Sequence, residues 1–190
     1  DVSSINPETL KSRIDDGEAV TLLDVRMAAE YEEWHIDDES VESINIPYFE
    51  FLDEVVDDDV LEQIPDDREL VVLCAKGGAS EYVAGTLLER DYDAIHLEAG
   101  MNGWARLYDA VEVADYDGAG TLLQYQRPSS GCLGYFIYDD GAAAAIDPLR
   151  PFTDRYLDAP HDLGAELKYA PHTHIHPHHP TGIPTPDHKG

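Results

Sequence analysis

The chain has 190 residues, with 40 acidic residues against 12 lysines and arginines, so its formal net charge is −28. A charge of this sign disfavours binding to nucleic acid and to anionic membrane surfaces. Apolar residues make up 43% of the chain and follow regular spacings, which argues against a disordered acidic protein. Because the acidic residues are spread through segments that look folded, we expect a protein adapted to concentrated salt, which screens self-repulsion.

The two cysteines, Cys74 and Cys132, are too few for a disulfide framework. No apolar stretch reaches the length of a membrane span, and the first residues lack the pattern of a signal peptide. We therefore expect a reducing, cytoplasmic location without membrane partners. Cys132 lies between Gly131 and Leu133 and is predicted to be a small buried residue.

The first part of the chain, residues 1–115, alternates between strand-like and helix-like patterns. Asn6 followed by Pro7 is typical of a helix start. Strands are predicted at 20–25, 43–46, 70–74 and 94–97. Helices are predicted at 28–34, 48–56, 80–90 and around Trp104. This alternation predicts an α/β domain with a parallel sheet and helices on both faces.

The second part begins after a glycine-rich stretch at 116–120, which is predicted to be a linker. A β-rich segment follows over 121–169, with strands expected at 121–126, 133–138 and 142–146 and one helical stretch at 152–157. Residues 170–190 are rich in histidine and proline and are predicted to be a disordered tail.

Cys74 has the most distinctive surroundings in the sequence. It closes the apolar run 70–73 and opens a loop of small residues that leads into a helix. Backbone amides of such a loop and the start of the helix favour a thiolate, which is the nucleophilic form of cysteine. Lys76, one of only four lysines, lies in this loop, and its charge is expected to lower the pKa of Cys74. The alternative is a reduced core cysteine beside a glycine-rich turn.

Several segments in order resemble the rhodanese-like sulfurtransferases from about Ile5 to Val113. The segments are Leu22-Leu23-Asp24-Val25-Arg26, Glu30-Tyr31, His35-Ile36, Asn45-Ile46-Pro47, the cysteine loop, and Glu98-Ala99-Gly100-Met101-Asn102-Gly103-Trp104. The resemblance implies that Cys74 carries sulfane sulfur as a persulfide. It also implies a substrate-binding loop made of Ala75, Lys76, Gly77, Gly78, Ala79 and Ser80.

The resemblance implies transfer from thiosulfate or a persulfide donor to a thiol or cyanide acceptor, with small-molecule partners and no cofactor for this domain. The family often has an arginine late in the loop, whereas this chain has Ala79 and Ser80. Lys76 alone would then supply the cationic contact to an anionic donor.

Other residues of these segments are expected to have structural roles. Asp24 and Arg26, at the end of a strand, are predicted to form an ion pair that organises neighbouring loops. His35 is predicted to be packed and hydrogen-bonded rather than to act as a base. Trp104 is predicted to anchor the core.

The second part resembles the opening strands of metallo-β-lactamase-fold hydrolases, most closely the persulfide dioxygenase and glyoxalase-II-like branch. The resemblance rests on segments 126–134 and 145–148 and on Thr173-His174-Ile175-His176-Pro177-His178-His179. It implies that His174, His176 and His179 bind zinc or iron, metals that suit imidazole. His178 stands where the family has an aspartate. The fold would be partial, as in a truncated or frame-shifted relative of a rhodanese–hydrolase fusion. The alternative to a metal site is that residues 170–190 are an incidental disordered tail.

Two classes of function remain open from the sequence. The chain is either a sulfurtransferase enzyme with a covalent intermediate on Cys74, or a non-enzymatic sulfur carrier or interaction module that serves a partner. A cysteine phosphatase is disfavoured, because its phosphate-binding arginine would fall at the position of Ser80.

Overall fold

The computed structural model describes residues 2–52 and 56–173. The chain divides after Leu107 into two compact units. Each unit has its own sheet, and the described residues form two hydrophobic cores in the first unit and one in the second.

The first unit contains a five-stranded sheet in which every neighbouring pair of strands is parallel. The strand order is β1-β5-β4-β2-β3. The strands are β1 (Ser4–Ile5), β2 (Val20–Asp24), β3 (Val41–Asn45), β4 (Leu70–Leu73) and β5 (Ala94–Leu97). Central strands β2 and β4 are buried along their whole length, which explains why they read as continuous apolar runs.

In the described part of this unit, five α-helices connect or follow these strands. They are α1 (Pro7–Asp15), α2 (Ala28–Glu33), α3 (Asp58–Leu61), α4 (Gly78–Leu88) and α5 (Gly100–Trp104). The start of α1 is capped as predicted, because the Asn6 side chain accepts a hydrogen bond of 2.7 Å from the Thr9 amide.

Alternate residues of the central strands supply two cores on opposite faces of the sheet. Leu23 and Val72 pack in one core with Leu87 of α4. On the other face, Leu22 packs in a core with Leu10 of α1. Each side chain of this size contributes about 1.5–3 kcal/mol when fully buried. The predicted α/β arrangement, with helices on both faces of a parallel sheet, is confirmed.

Of the helix predicted over 48–56, the structure shows a 3₁₀ turn at Tyr48–Phe51, and residues 53–55 lie outside the described part. The Tyr48 amide donates to the carbonyl of Val25 at 2.9 Å, which ties this turn to the chain just after β2. Strand β1 and the one-turn helix α3 were not predicted. Both are too short for a periodic pattern to indicate them.

The second unit has a five-stranded sheet in the order β10-β9-β8-β7-β6. The strands are β6 (Asp109–Glu112), β7 (Thr121–Arg127), β8 (Cys132–Asp139), β9 (Ala142–Ile146) and β10 (Glu166–Tyr169). Neighbours from β6 to β9 pair antiparallel, and β10 pairs parallel to β9 after helix α6 (Thr153–Asp162). The three predicted strands of this part correspond to β7, β8 and β9.

The stretch predicted as a linker, 116–120, lies inside the second unit, between the paired strands β6 and β7. The Val113 amide donates to the Leu122 carbonyl at 2.9 Å, so this stretch closes a hairpin. Residues 108–115, which the sequence analysis placed in the first domain, therefore belong to the second unit. Glycine-rich composition does not distinguish a linker from a hairpin loop, because both need small, polar residues.

Candidate functional site

Cys74 follows the last residue of β4 and lies at the carboxyl edge of the parallel sheet. In such sheets, ligands bind outside the carboxyl ends of the strands. The chain then turns through Gly77, whose φ of 103° is in the left-handed region, and enters α4 at Gly78. Because glycine adopts this conformation at little cost, the loop can return its amides toward the cysteine sulfur.

The Cys74 sulfur is buried, and the Gly77 amide and the Ser80 hydroxyl lie within hydrogen-bonding distance of it. The Gly77 amide nitrogen is 3.0 Å from Sγ. The Ser80 Oγ, which is fully buried, is 3.4 Å from Sγ and donates to the Gly77 carbonyl at 2.9 Å. Amide donors aimed at the sulfur stabilise a negative charge on it.

Two opposing causes set the pKa of Cys74. Burial raises the pKa, because it disfavours the charged thiolate. Hydrogen bonds from the Ser80 side chain and from the backbone of Ser80, Lys76 and Gly77 lower the pKa. The hydrogen bonds prevail, so the pKa of Cys74 lies below its ordinary value.

The backbone of Lys76 is one of the groups that lower the pKa of Cys74. The effect of the Lys76 side-chain charge on that pKa stays a prediction. The Lys76 side chain is exposed, where water screens its charge. Its ammonium group is thus available to a bound molecule.

The start of α5 fixes the Cys74 loop from behind. The Met101 amide donates to the Cys74 carbonyl at 2.8 Å, and the Asn102 amide donates to the Ala75 carbonyl at 3.0 Å. Gly100 has a φ of 52°, and a Cβ atom there would collide with the Cys74 carbonyl oxygen. Gly100 belongs to a family segment, but this contact could not be predicted, because the two residues are 26 positions apart in the sequence.

Asp24 and Arg26 form the predicted ion pair. Arg26 Nη2 lies 2.6 Å from Asp24 Oδ2, and both side chains are buried. The same guanidinium donates to the Trp34 carbonyl at 2.9 Å and to the Glu30 carbonyl at 3.3 Å. Arg26 therefore holds the segment that contains α2 against the end of β2.

The two remaining structural predictions from the family segments agree with the packing. His35 Nδ1 lies 3.0 Å from the Tyr31 carbonyl oxygen, and the His35 ring stacks on the Tyr31 ring at 4.2 Å. Trp104 is buried in the core beneath α1.

A cavity of about 310 Å³ opens beside Cys74. On the loop side it is lined by Cys74, Ala75, Lys76, Gly78 and Ala79. On the opposite side it is lined by Val25, Arg26, Met27, Glu30 and Tyr48. Met27 and Tyr48 are 47% and 41% exposed, so the wall facing the loop presents apolar surface to solvent.

The structure thus separates the predicted loop residues into two groups. Ala75, Lys76, Gly78 and Ala79 line the cavity. Gly77 and Ser80 are buried and contact the sulfur. Met27, Glu30 and Tyr48 were not predicted as site residues, because they come from other segments and only the tertiary structure brings them to Cys74.

The predicted metal ligands His174, His176 and His179 lie outside the described residues. Within the described residues, no group of three or more His, Cys, Asp or Glu side chains is arranged to hold a metal ion. Cys132 is a free, half-buried thiol rather than a fully buried one. Among the helices of the described part, none is long and apolar enough to cross a membrane.

Residues 6–107 match the family described as the rhodanese-like domain. A "Sulfurtransferase" of Allochromatium vinosum is 29% identical over 106 residues, covering 55% of this chain and 90% of that protein. The "Probable adenylyltransferase/sulfurtransferase MoeZ" of Mycobacterium tuberculosis is 28% identical over 105 residues, covering 55% of this chain. The match spans only 25% of the length of that mycobacterial protein.

A solved structure of a rhodanese-like domain protein from Staphylococcus aureus is 25% identical, with a TM-score of 0.46. The match covers 54% of this chain and 90% of that one. The family match ends at the boundary of the first unit, and the resemblance of residues 121–169 to metallo-β-lactamase-fold hydrolases stays a prediction.

Proposed function

Since the chain belongs to the rhodanese-like domain family, we propose that it is a sulfurtransferase that carries sulfane sulfur as a persulfide on Cys74. The observation that carries this proposal is the environment of the sulfur. Hydrogen bonds lower the pKa of Cys74 despite its burial, and the residue borders an open cavity. A thiolate of this kind is both nucleophilic and accessible to a small donor.

The proposed reaction has two steps. In the first, the Cys74 thiolate attacks the outer sulfur of thiosulfate or of a persulfide. A new S–S bond forms to Cys74 while the S–S bond of the donor breaks, and sulfite or a thiolate leaves with the electron pair. In the second step, a thiolate or cyanide acceptor attacks the outer sulfur of the Cys74 persulfide and regenerates the Cys74 thiolate.

The loop residues would assist both steps. The Gly77 amide and the Ser80 hydroxyl stabilise the anionic sulfur before attack and again when Cys74 is the leaving group. No step needs an external electron acceptor, since each S–S bond that breaks is replaced by an S–S or S–C bond.

Cysteine replacement tests the proposal. Wild-type protein, Cys74→Ser and Cys132→Ser are incubated with thiosulfate or a small persulfide, and their intact masses and turnover are measured. We expect an added mass of about 32 Da, one sulfur atom, on wild type and Cys132→Ser and not on Cys74→Ser. Turnover should follow the same pattern, because only Cys74 has the loop amides around its sulfur.

Three outcomes would contradict this proposal. Equal loss of activity in both variants, or added mass on Cys132 alone, would contradict the assignment of Cys74. A persulfide that forms on Cys74 once, without turnover to any thiol or cyanide acceptor, would instead indicate the non-enzymatic carrier.

A further inference from the structure

The charged groups that line the cavity beside Cys74 suggest which donor it accepts, if the proposed sulfur transfer is correct. Three charged side chains line this cavity, those of Arg26, Glu30 and Lys76. Most of the remaining lining is apolar, including Met27 and Tyr48. The cavity therefore offers a donor only a few charged contacts on a mostly apolar lining.

The charge of Arg26 is already compensated inside the protein. Its guanidinium makes bonds of 2.6–3.0 Å to both carboxylate oxygens of Asp24 and is buried with it. The backbone carbonyls of Glu30 and Trp34 accept two further hydrogen bonds from the same guanidinium. Arg26 thus serves as a structural residue rather than as a contact for an anionic donor.

Glu30 is fixed at the edge of the cavity by the start of α2. Its Oε2 accepts a hydrogen bond of 3.3 Å from the Met27 amide, and the side chain is exposed. This bond orients the carboxylate at the helix start. An anionic group on the donor that approached Glu30 would be repelled, and an ammonium group would be attracted.

Lys76 supplies the opposite charge from the loop side. Its side chain is exposed and lines the same cavity as Glu30. With Arg26 compensated, the cavity offers a donor one ammonium and one carboxylate, so their charges cancel. A dianion such as thiosulfate meets one favourable and one unfavourable charge, whereas a zwitterion can satisfy both.

We propose that Glu30 and Lys76 select the persulfide of a free α-amino acid as the donor, with its ammonium group toward Glu30 and its carboxylate toward Lys76. The Cys74 thiolate attacks the outer sulfur of the amino-acid persulfide. The S–S bond of the donor breaks, the sulfur becomes bonded to Cys74, and the free amino-acid thiolate leaves. Electrons balance, because one S–S bond replaces another.

The test compares three persulfides that differ in the groups that Glu30 and Lys76 would contact, together with thiosulfate. Cysteine persulfide has both the ammonium and the carboxylate. N-acetylcysteine persulfide lacks the ammonium, cysteamine persulfide lacks the carboxylate, and thiosulfate is the dianionic reference. The kcat/KM of each donor is measured with a common acceptor at the lowest salt concentration at which the protein is folded, because salt screens these contacts.

For the wild-type protein we expect cysteine persulfide to exceed each of the two single-group analogues by about two- to fivefold, the size of a partly exposed ion pair. Glu30→Gln should remove the preference over N-acetylcysteine persulfide and improve the use of thiosulfate. Glutamine retains an oxygen that can accept from the Met27 amide, so α2 should keep its start. Lys76→Gln should remove the preference over cysteamine persulfide and leave the other preference in place.

Glu32→Gln is the matched control for Glu30→Gln. Glu32 lies two positions further along α2 and is exposed. Glu32→Gln changes the net charge by the same amount as Glu30→Gln. Residues two apart on a helix point in nearly opposite directions, so Glu32 should not affect donor preference.

The outcomes separate this inference from the proposed function. Transfer from cysteine and N-acetylcysteine persulfides with equal kcat/KM in the wild type would overturn the inference while sulfur transfer stands. The inference would also be overturned if Glu32→Gln changed the donor preference as much as Glu30→Gln, because the cause would then be the overall negative charge of the protein. Absence of transfer from all four donors, without persulfide on Cys74, would overturn both.

Discussion

Ser80→Ala is the substitution that most directly tests how the protein activates its cysteine. In the thiol form, the Ser80 hydroxyl donates to the Gly77 carbonyl at 2.9 Å and its oxygen lies 3.4 Å from the Cys74 sulfur. A hydroxyl has one proton. When Cys74 ionises, that proton can turn to the thiolate, and the Gly77 carbonyl then loses its bond from Ser80.

The expected magnitude follows from this exchange. A hydrogen bond to a charged acceptor contributes about 1.5–3 kcal/mol, and the neutral bond that it replaces contributes about 0.5–1.5 kcal/mol. The difference, about 1–1.5 kcal/mol, corresponds to a change of up to about tenfold in the ionisation constant of Cys74. Because the Ser80 hydroxyl lowers the pKa of Cys74, its removal raises that pKa and moves the thiolate to higher pH.

The assay is the rate of reaction of Cys74 with a small aromatic disulfide, measured as a function of pH in a Cys132→Ser background. Below the pKa, Ser80→Ala should have about tenfold less thiolate. The more basic thiolate is also more nucleophilic, with a Brønsted coefficient of about 0.4–0.5, so the net rate should fall only about three- to fourfold. Above the pKa the variant should react about threefold faster, and the two rate profiles should cross.

The crossing distinguishes a change in pKa from damage to the loop, which would slow the reaction at every pH. Ser129→Ala serves as control, because the Ser129 hydroxyl is buried and has no hydrogen-bond partner in the described part of the chain. Superimposable profiles for Ser80→Ala and the wild type would refute the reasoning, and the loop amides would then account for the activation.

Three further predictions concern the loop support, the charge and the metal. Gly100→Ala should displace the Cys74 loop and reduce sulfur transfer at least tenfold. Gly85 lies in α4, and a Cβ atom there would make only an ordinary van der Waals contact, so Gly85→Ala should retain activity and stabilise the protein by about 0.5–1 kcal/mol. Thermal melts and turnover assays check both variants. With a net charge of −28, the protein should lose structure at low ionic strength and regain it in molar salt, where the Debye length is about 3 Å; circular dichroism against salt concentration measures this. A chelator should leave sulfur transfer by Cys74 unchanged at every salt concentration. Loss of activity on chelation would assign a role to the histidine-rich residues 170–190.

Much of the first unit could be predicted from the sequence because its signals are local. Buried parallel strands such as Leu70–Leu73 read as short apolar runs, and Asn6 followed by Pro7 marks a helix start. The position of Cys74 at the end of a strand follows from the same runs. The boundary between the units could not be predicted, because β6 is an acidic four-residue strand that is recognisable only by its pairing with β7.

The sequence by itself determined the class of fold, the position of Cys74 at the carboxyl edge of a parallel sheet, and the ion pair between Asp24 and Arg26. These depend on residues close together in the chain or on the regular spacing of strands and helices. Only the tertiary structure decided which distant segments contact the Cys74 loop and line its cavity. Gly100 contacts the Cys74 carbonyl across 26 residues of sequence, and Glu30 lines the same cavity as Lys76, 46 residues away. No local pattern encodes which distant segments meet.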